Sequence, residues 1–251
     1  MSTILVSTED HIRTVTLDRP EKRNALNDEL IADLKAALNE ADGDDALRAI
    51  VIRGAGKDFC SGADLSALQK IARASYEENI EDARSLAELF ELIRKVRVPV
   101  IAAVHGRALA GGCGLACGCD LVVATNTARF GYPEVKIGFV PAMVAAILRR
   151  NLGEKKSFEL LTQGFEYTAQ DALALGLVNA VFAEDTFDDA VHDYAAVYTK
   201  VSGSAVAMTK KLLYDIDAAD FHTAIEHGVT TNADARMTSD CQKGIAKFLE
   251  K

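Results

Sequence analysis

The sequence lacks any long apolar run, and its longest candidate, residues 98–104, has only the length of a strand. A helix that crosses a bilayer needs roughly 20 consecutive apolar residues, so we expect no membrane span. The first four residues also lack the basic-then-apolar pattern of a secretory signal. The five cysteines are an odd number, which without such a signal is typical of reduced thiols. Together these absences predict a cytoplasmic protein.

Positive charge is also scarce: 28 Lys and Arg stand against 37 Asp and Glu, a net charge of −9 with histidines neutral. This balance argues against a nucleic-acid-binding module, which normally carries a basic face. The acidity is concentrated in residues 28–45, with seven acids and one lysine, and 184–220, with eight acids and three lysines. Residues 19–23 carry three cations and one acid, so a site for a small anion is not excluded.

The order of predicted elements indicates an α/β fold. The 251 residues include 49% hydrophobic residues, which is enough for a sizeable core. Strand and helix patterns alternate to about residue 140, after which the chain becomes mostly helical. The clearest predicted strands are 4–7 with 12–17, as a hairpin, then 48–53, 98–104, 121–125 and 178–182. The clearest predicted helices begin after Asn27 and span 77–96, and the glycine-rich segment 111–118 is expected to open a short helix. Without a repeat or a linker, residues 1–251 are predicted to form a single domain.

Three segments carry residues suited to chemistry: 56–65 (GKDFCSGADL), 108–116 (ALAGGCGLA) and 130–138 (FGYPEVKIG). The first two follow predicted strands, and their small residues let a ligand approach backbone N–H groups. A helix that opens at Gly111 would direct the positive end of its dipole at that ligand. Two N–H groups from different loops can hold one developing oxyanion. Glu134 follows a proline in apolar surroundings, which can raise the pKa of its carboxyl toward acid/base use.

Together and in this order, the three segments resemble the crotonase family, also called the enoyl-CoA hydratase/isomerase family. The resemblance covers nearly the whole chain, through residues 19–26 (RPEKRNAL), 59–65, 111–120, 133–164 and 172–178 (ALALGLV). It implies a crotonase-like superhelix of stacked β-β-α turns with a helical C-terminal region. It also implies a homotrimer or a dimer of trimers, with a spiral core to about residue 195 and a trimerisation region at about 196–251.

The resemblance further implies a mechanism on an acyl-CoA thioester. The N–H groups of Ala63 and Gly111 would form the oxyanion hole, and Glu134 would be the catalytic acid/base. The resemblance implies no metal or redox cofactor, and coenzyme A would be part of the substrate. The positions expected to contact substrate or coenzyme A are Arg23, Ala25, Ser61, Asp64, Leu65, Gly112, Gly114, Pro133, Lys247 and Phe248. For Asp64, the alternative is a helix-capping aspartate.

The sequence departs from the family's hydratases at Gly114. Family hydratases commonly use two glutamates; the second matches Glu134, and the first falls at Gly114. We expect a vacancy there that holds water or part of a bulkier substrate. One carboxylate suffices to move a proton between the α and γ carbons, which favours an enoyl-CoA isomerase. Residues 134–142 (EVKIGFVPA) instead resemble a branch of hydratases for branched or carboxylated enoyl-CoA esters. Hydratase is the leading prediction; an isomerase and a non-catalytic acyl-CoA-binding protein are the alternatives.

Other patterns in the same region favour structural roles. Cys113, Cys117 and Cys119 match no standard zinc-ligand spacing, so no metal site is expected. Ser61 or Cys60 with His105 would suit a hydrolase, but neither lies in a G-x-S-x-G elbow.

Overall fold

The computed structural model describes residues 2–250, apart from the side chain of Leu65. Its strands are β1 Ile4–Glu9, β2 Ile12–Leu17, β3 Ala49–Gly54, β4 Val100–Val104, β5 Arg107–Leu109, β6 Leu121–Thr125, β7 Arg129–Gly131, β8 Glu166–Thr168 and β9 Ala180–Phe182. Its helices are α1 Asp28–Asp42, α2 Leu65–Ile71, α3 Tyr76–Lys95, α4 Gly111–Gly118, α5 Ala142–Asn151, α6 Glu154–Gln163, α7 Ala169–Ala174, α8 Phe187–Ala196, α9 Gly203–Asp215, α10 Phe221–Met237 and α11 Ser239–Leu249.

A six-stranded sheet in the order β1-β2-β3-β4-β6-β9 forms the centre of the fold. The β1–β2 hairpin is antiparallel, as the sequence predicts, and the other pairs are parallel. Successive side chains of β3 point to opposite faces. Ile50 and Ile52 enter the larger core, whereas Ala49 and Val51 pack in a second core with Val191 of α8. Both faces of the sheet are therefore covered at β3, which explains the continuous apolar run of that strand.

A second sheet, in the order β5-β7-β8, is absent from the sequence prediction. Each of its strands has only three residues, too few to show an alternating pattern. Strand β5 pairs with β7 in parallel, and β7 pairs with β8 antiparallel. Strands β5 and β7 of this sheet lie directly before the segments that carry Gly111 and Glu134.

Side-chain caps fix where several helices begin, as their sequences predict. The Asn27 side chain accepts the Leu30 N–H at 3.0 Å and caps α1. Thr168 and Asp171 form a reciprocal capping box at the start of α7. Helix α1 packs against α3, which covers the larger core.

The C-terminal helices α9–α11 are joined to the core through Lys210 of α9. Its Nζ donates to the carbonyls of Ile93 and Val98, at 2.8 and 3.0 Å, and to Asp120 at 2.6 Å. By contrast, no residue of α10 or α11 is buried in the single chain. None of the described helices is both long and apolar enough to cross a membrane.

Candidate active site

The loop that carries Ala63 is fixed from beneath by Asn24, whose side chain is fully buried. Its Oδ1 accepts the Arg19 N–H at 2.9 Å, and its Nδ2 donates to the carbonyls of Ala55 and Asp58 at 2.9 and 2.8 Å. A single amide side chain therefore ties the turn at residues 19–26 to the loop after β3.

The Ala63 N–H points away from the residues that hold its loop. Leu26 donates to the Gly62 carbonyl at 2.7 Å and accepts the Asp64 N–H at 2.9 Å, which forms a parallel bridge opposite Ala63. In this pattern the Ala63 N–H lies on the other side of its strand segment. The structure records no hydrogen bond from it to any described residue, so it is available to a ligand.

The Gly111 N–H is the first of helix α4, where backbone donors have no partner within the helix. The preceding residue, Ala110, has φ 51° and ψ −128°, a conformation that is strained for a residue with a side chain. Its own N–H donates to the Gly131 carbonyl at 2.8 Å. This strained turn directs the N-terminal end of α4 toward the loop of Ala63.

Gly62 brings the two predicted oxyanion donors together. A β-carbon at Gly62 would lie 2.7 Å from the Ala110 β-carbon and 3.6 Å from the Gly111 nitrogen. Its φ of 95° also favours glycine. The peptide that precedes Ala63 is therefore in direct contact with the one that presents Gly111. Such a pair suits a single oxyanion, although the role itself stays a prediction.

Glu134 lies in a one-turn 3₁₀ helix, Pro133–Ile137, that follows β7. Its side chain is partly buried, and Oε2 is shielded from solvent with no hydrogen-bond partner among the described residues. Burial raises the pKa of this carboxyl above its ordinary value because the charged form loses solvation. A raised pKa brings a carboxyl closer to the range that suits a general acid or base.

The prediction of a vacancy at Gly114 is wrong. A β-carbon there would lie 2.6 Å from Cγ2 of Val144 and 3.4 Å from Cζ of Phe90. Both neighbours are buried, with 4% and 7% of their surface exposed. Helix α5 packs on α4 at this point, so Val144 occupies the space that a larger side chain at 114 would need.

Asp64 caps helix α2, which the sequence analysis gave as the alternative to contact with substrate. One carboxylate oxygen accepts the Ser66 N–H at 2.9 Å and caps α2, and the other pairs with Arg19 at 2.6 Å. The hydrogen bond from Ser66 and the Arg19 guanidinium lower the pKa of Asp64 to about 2, against the effect of burial. With both oxygens engaged, Asp64 supports the loop, and its contact with substrate stays a prediction.

Gly112 permits close packing of α4. A β-carbon there would lie 2.3 Å from the Cys60 carbonyl oxygen and 2.7 Å from its Sγ. The glycine is thus required by the contact between α4 and the loop after β3, whatever its role toward a ligand.

The remaining predicted contact residues fall in three places. Near the Ala63 loop lie exposed Arg23, buried Ala25 and half-buried Ser61, whose N–H donates to the Arg23 carbonyl at 3.0 Å. Pro133 begins the turn of Glu134, and Leu65 begins α2, although its side chain lies outside the described part. Lys247 and Phe248 lie on α11, which packs against α9 and α10. Phe248 is 78% exposed, so one protomer places these two residues on open surface.

A buried polar cluster behind the site was not predicted. Tyr132 is fully buried, and its hydroxyl donates to Cys117 Sγ of α4 at 3.6 Å. Cys113 Sγ and the Tyr167 hydroxyl lie 3.6 Å apart, and Tyr167 stacks on Phe130. These contacts join the turn of Glu134 to α4, and the aromatic residues near Pro133 are the only sequence signal for them. The described residues contain no group of three or more His, Cys, Asp or Glu side chains placed to hold a metal ion.

The model of the family described as "Enoyl-CoA hydratase/isomerase" matches residues 7–251. A protein of Thermus thermophilus, provisionally named an enoyl-CoA hydratase, is 39% identical over 96% of this chain and 95% of its own length. The 2,3-dehydroadipyl-CoA hydratase of Escherichia coli K12 is 32% identical over 100% of this chain and 97% of its own length. The crystal structure of an enoyl-CoA hydratase from Mycobacterium smegmatis superimposes with a TM-score of 0.95 at 35% identity, covering 100% of this chain and 97% of that one. The chain belongs to the enoyl-CoA hydratase/isomerase family and has the crotonase fold.

Proposed function

We propose that the protein hydrates the double bond of a 2-enoyl-CoA thioester, with Glu134 as its single acid/base. The observation that carries this proposal is the partly buried Glu134 carboxyl, whose Oε2 has no partner among the described residues. It follows the strand that is bonded to the start of α4, where the Gly111 N–H is available. Coenzyme A enters as part of the substrate, and the mechanism requires no further cofactor.

In the proposed reaction, the thioester oxygen accepts hydrogen bonds from the N–H groups of Ala63 and Gly111. The Glu134 carboxylate takes a proton from water while the water oxygen bonds to C3, and the electrons of the C2=C3 bond move onto the thioester as an enolate. The two N–H groups stabilise that enolate. Glu134 then returns the proton to C2, so that one water has been added and the carboxylate is regenerated.

The names of the relatives support hydration as the leading reaction. The Escherichia coli relative is a hydratase of a dicarboxylic enoyl-CoA, and it matches this chain along its full length. This agrees with the likeness of residues 134–142 to hydratases of branched or carboxylated esters. We therefore propose a substrate of that class.

Isomerisation is the second candidate, and the packing at Gly114 favours it. Because Val144 fills the position of the family's first glutamate, no second carboxylate can act from there. In this reaction Glu134 removes a proton from C2 of a 3-enoyl-CoA and returns it to C4, which moves the double bond to C2–C3. The same oxyanion donors would hold the dienolate.

The test incubates the protein separately with 2-enoyl-CoA and 3-enoyl-CoA esters, both straight-chain and branched, and identifies the products by mass. A gain of one water indicates hydration, and a moved double bond without a mass change indicates isomerisation. Glu134→Gln should abolish turnover but leave binding of the CoA ester intact. Normal turnover by this variant would refute the role of Glu134, and binding without turnover by wild-type protein would indicate a non-catalytic acyl-CoA binder.

We also propose that residues 196–251 mediate assembly into a homotrimer or a dimer of trimers. Apolar side chains stand on the surface of α10 and α11, among them Phe221 at 83% and Met237 at 82% exposure. A neighbouring subunit would cover such side chains, and it would give Lys247 and Phe248 a route to a second site. Sedimentation of Phe221→Asp against wild-type protein tests the assembly: an unchanged oligomer would contradict it.

A further inference from the structure

We propose that Val144 sets the reaction specificity of this site, because its side chain fills the space that a second carboxylate at position 114 would need. The inference rests on the proposed function and adds a residue that the family resemblance did not indicate. Positions 114 and 144 form one coupled pair: a glutamate at 114 can work only when residue 144 is small.

The coupling follows from the local geometry of helices α4 and α5. Gly114 lies one helical turn after Ala110, whose carbonyl accepts its N–H at 2.9 Å, so its backbone position is fixed. A β-carbon on it would approach Val144 Cγ2 to 2.6 Å, but the Val144 β-carbon only to 3.8 Å. The conflict therefore lies with the branched methyl of Val144. Truncation of that residue to alanine removes the conflict and leaves an ordinary contact.

The Val144 side chain cannot easily adopt another rotamer. Val144 is the third residue of α5 and is 4% exposed, and a β-branched side chain in a helix has one strongly preferred rotamer. The other neighbour, Phe90 of α3, lies at 3.4 Å and needs to move only slightly. Gly118, one turn further along α4, provides the internal comparison. A β-carbon there would lie 3.5 Å from Ile147 and 3.6 Å from Phe90, which are ordinary contacts.

The consequence for the reaction is a site with one proton-transfer group. Helix α5 is the next element after the turn of Glu134. The same segment of chain therefore supplies the acid/base and, through Val144, fills the space that a carboxylate at position 114 would need. A single carboxylate serves hydration and isomerisation alike, whereas a second one would help to position and activate the attacking water. A glutamate at position 114 with a small residue at position 144 should therefore raise the rate of hydration relative to that of isomerisation.

The experiment compares wild type, Gly114→Glu, Val144→Ala and the double variant Gly114→Glu/Val144→Ala. Hydration of a straight-chain 2-enoyl-CoA, isomerisation of the 3-enoyl-CoA and the melting temperature are measured for each. We expect Gly114→Glu alone to melt lower and gain no hydration. The double variant should melt higher than Gly114→Glu and raise the ratio of hydration to isomerisation about tenfold or more over Val144→Ala, because a positioned acid/base typically contributes about 10²–10⁴-fold.

The matched control is Gly114→Gln/Val144→Ala, which has a similar shape without the carboxylate and should show the stability gain but not the change in ratio. The proposal is overturned if Gly114→Glu alone raises the ratio as much as the double variant, or if the folded double variant leaves it at the Val144→Ala value. Should the double variant not fold, Gly114→Ala with and without Val144→Ala tests the coupling: equal melting losses in both backgrounds overturn it. Absence of turnover by wild type on every ester would refute the proposed function instead, and the melting data remain independent of that result.

Discussion

A single methyl group at Gly112 should both destabilise the protein and slow its reaction. In Gly112→Ala the new β-carbon would stand 2.3 Å from the Cys60 carbonyl oxygen and 2.8 Å from its carbonyl carbon. Separations under 3.0 Å are essentially never seen for real β-carbons, so the backbone must move. The Cys60 backbone cannot move away without breaking hydrogen bonds, because its N–H donates to the Arg107 carbonyl at 3.0 Å and its carbonyl accepts the Leu109 N–H at 2.9 Å.

The magnitude follows from two opposing contributions. Overpacking of a core typically costs about 1–3 kcal/mol, and a clash with backbone belongs at the upper end. Replacement of glycine by alanine within a helix returns roughly 0.5–1 kcal/mol. We expect Gly112→Ala to lower the free energy of unfolding by about 2 kcal/mol. Gly118→Ala in the same helix meets only ordinary contacts, so the helical gain is unopposed and should raise the free energy of unfolding by roughly 0.5–1 kcal/mol.

Urea unfolding of the two variants beside wild type measures the difference, and steady-state turnover gives the functional readout. The Gly112 β-carbon would push the first turn of α4 away from the Ala63 loop, and loss of one oxyanion donor typically costs about 10²–10³ in rate. Gly112→Ala should therefore lose at least tenfold in kcat, while Gly118→Ala keeps the wild-type value. Equal urea midpoints for the two variants would refute the argument that contact with Cys60 fixes the position of α4.

Three further perturbations have expected outcomes. Glu134→Gln should be more stable than wild type at pH 7, because burial raises the folded-state pKa of Glu134 above its ordinary value of 4.5. Wild type therefore loses stability as pH rises from that ordinary value through the folded pKa, and the urea midpoints of the two proteins should converge below this window. Lys210→Met should lower the free energy of unfolding by about 3 kcal/mol, because the Asp120 carboxylate, of which only 13% is exposed, keeps its charge without the Lys210 cation. An unchanged urea midpoint would contradict this. Asp64→Ala should cost at least about 1 kcal/mol from the lost helix cap and leave Arg19 without its carboxylate. The stabilisation from Asp64 is fully present above its unfolded pKa and is lost as pH falls toward about 2, so thermal melts of wild type and variant should approach each other in acid.

The long elements were predictable because their patterns are local. The helix after Asn27 shows a cap and apolar residues at helical spacing, and the structure places α1 at Asp28–Asp42. The apolar run at 98–104 becomes β4, which begins after Pro99. Strands β5, β7 and β8 could not be found in the same way. Three residues fit almost any pattern, and these strands form because the chain around them brings their backbones together.

The candidate site shows the same limit. The ordered motifs place Ala63, Gly111 and Glu134 on segments that the structure brings into contact or ties by hydrogen bonds. The expected vacancy at Gly114 rests on the resemblance, which puts a glycine at the position of the family's first glutamate. What fills that space is Val144, 30 positions further along the chain, and no periodicity in a single sequence reveals which side chain of α5 meets which residue of α4.

The shortest strands determine the alignment of the site. Strand β5 leads directly into the turn that presents Gly111, and β7 leads into the turn that presents Glu134. Their parallel register pairs Leu109 with Gly131, and the next residue, Ala110, donates its N–H to the Gly131 carbonyl at 2.8 Å. A slip of one residue in this register would move the Glu134 carboxylate by roughly 3.3 Å along the strand relative to the Gly111 N–H. It would also turn the side chains of β7 to the opposite face of the sheet. Such a slip exceeds what proton transfer tolerates, because the acid/base must lie within hydrogen-bonding reach of the reacting carbon or water. Two strands of three residues therefore hold the distance on which the proposed chemistry depends.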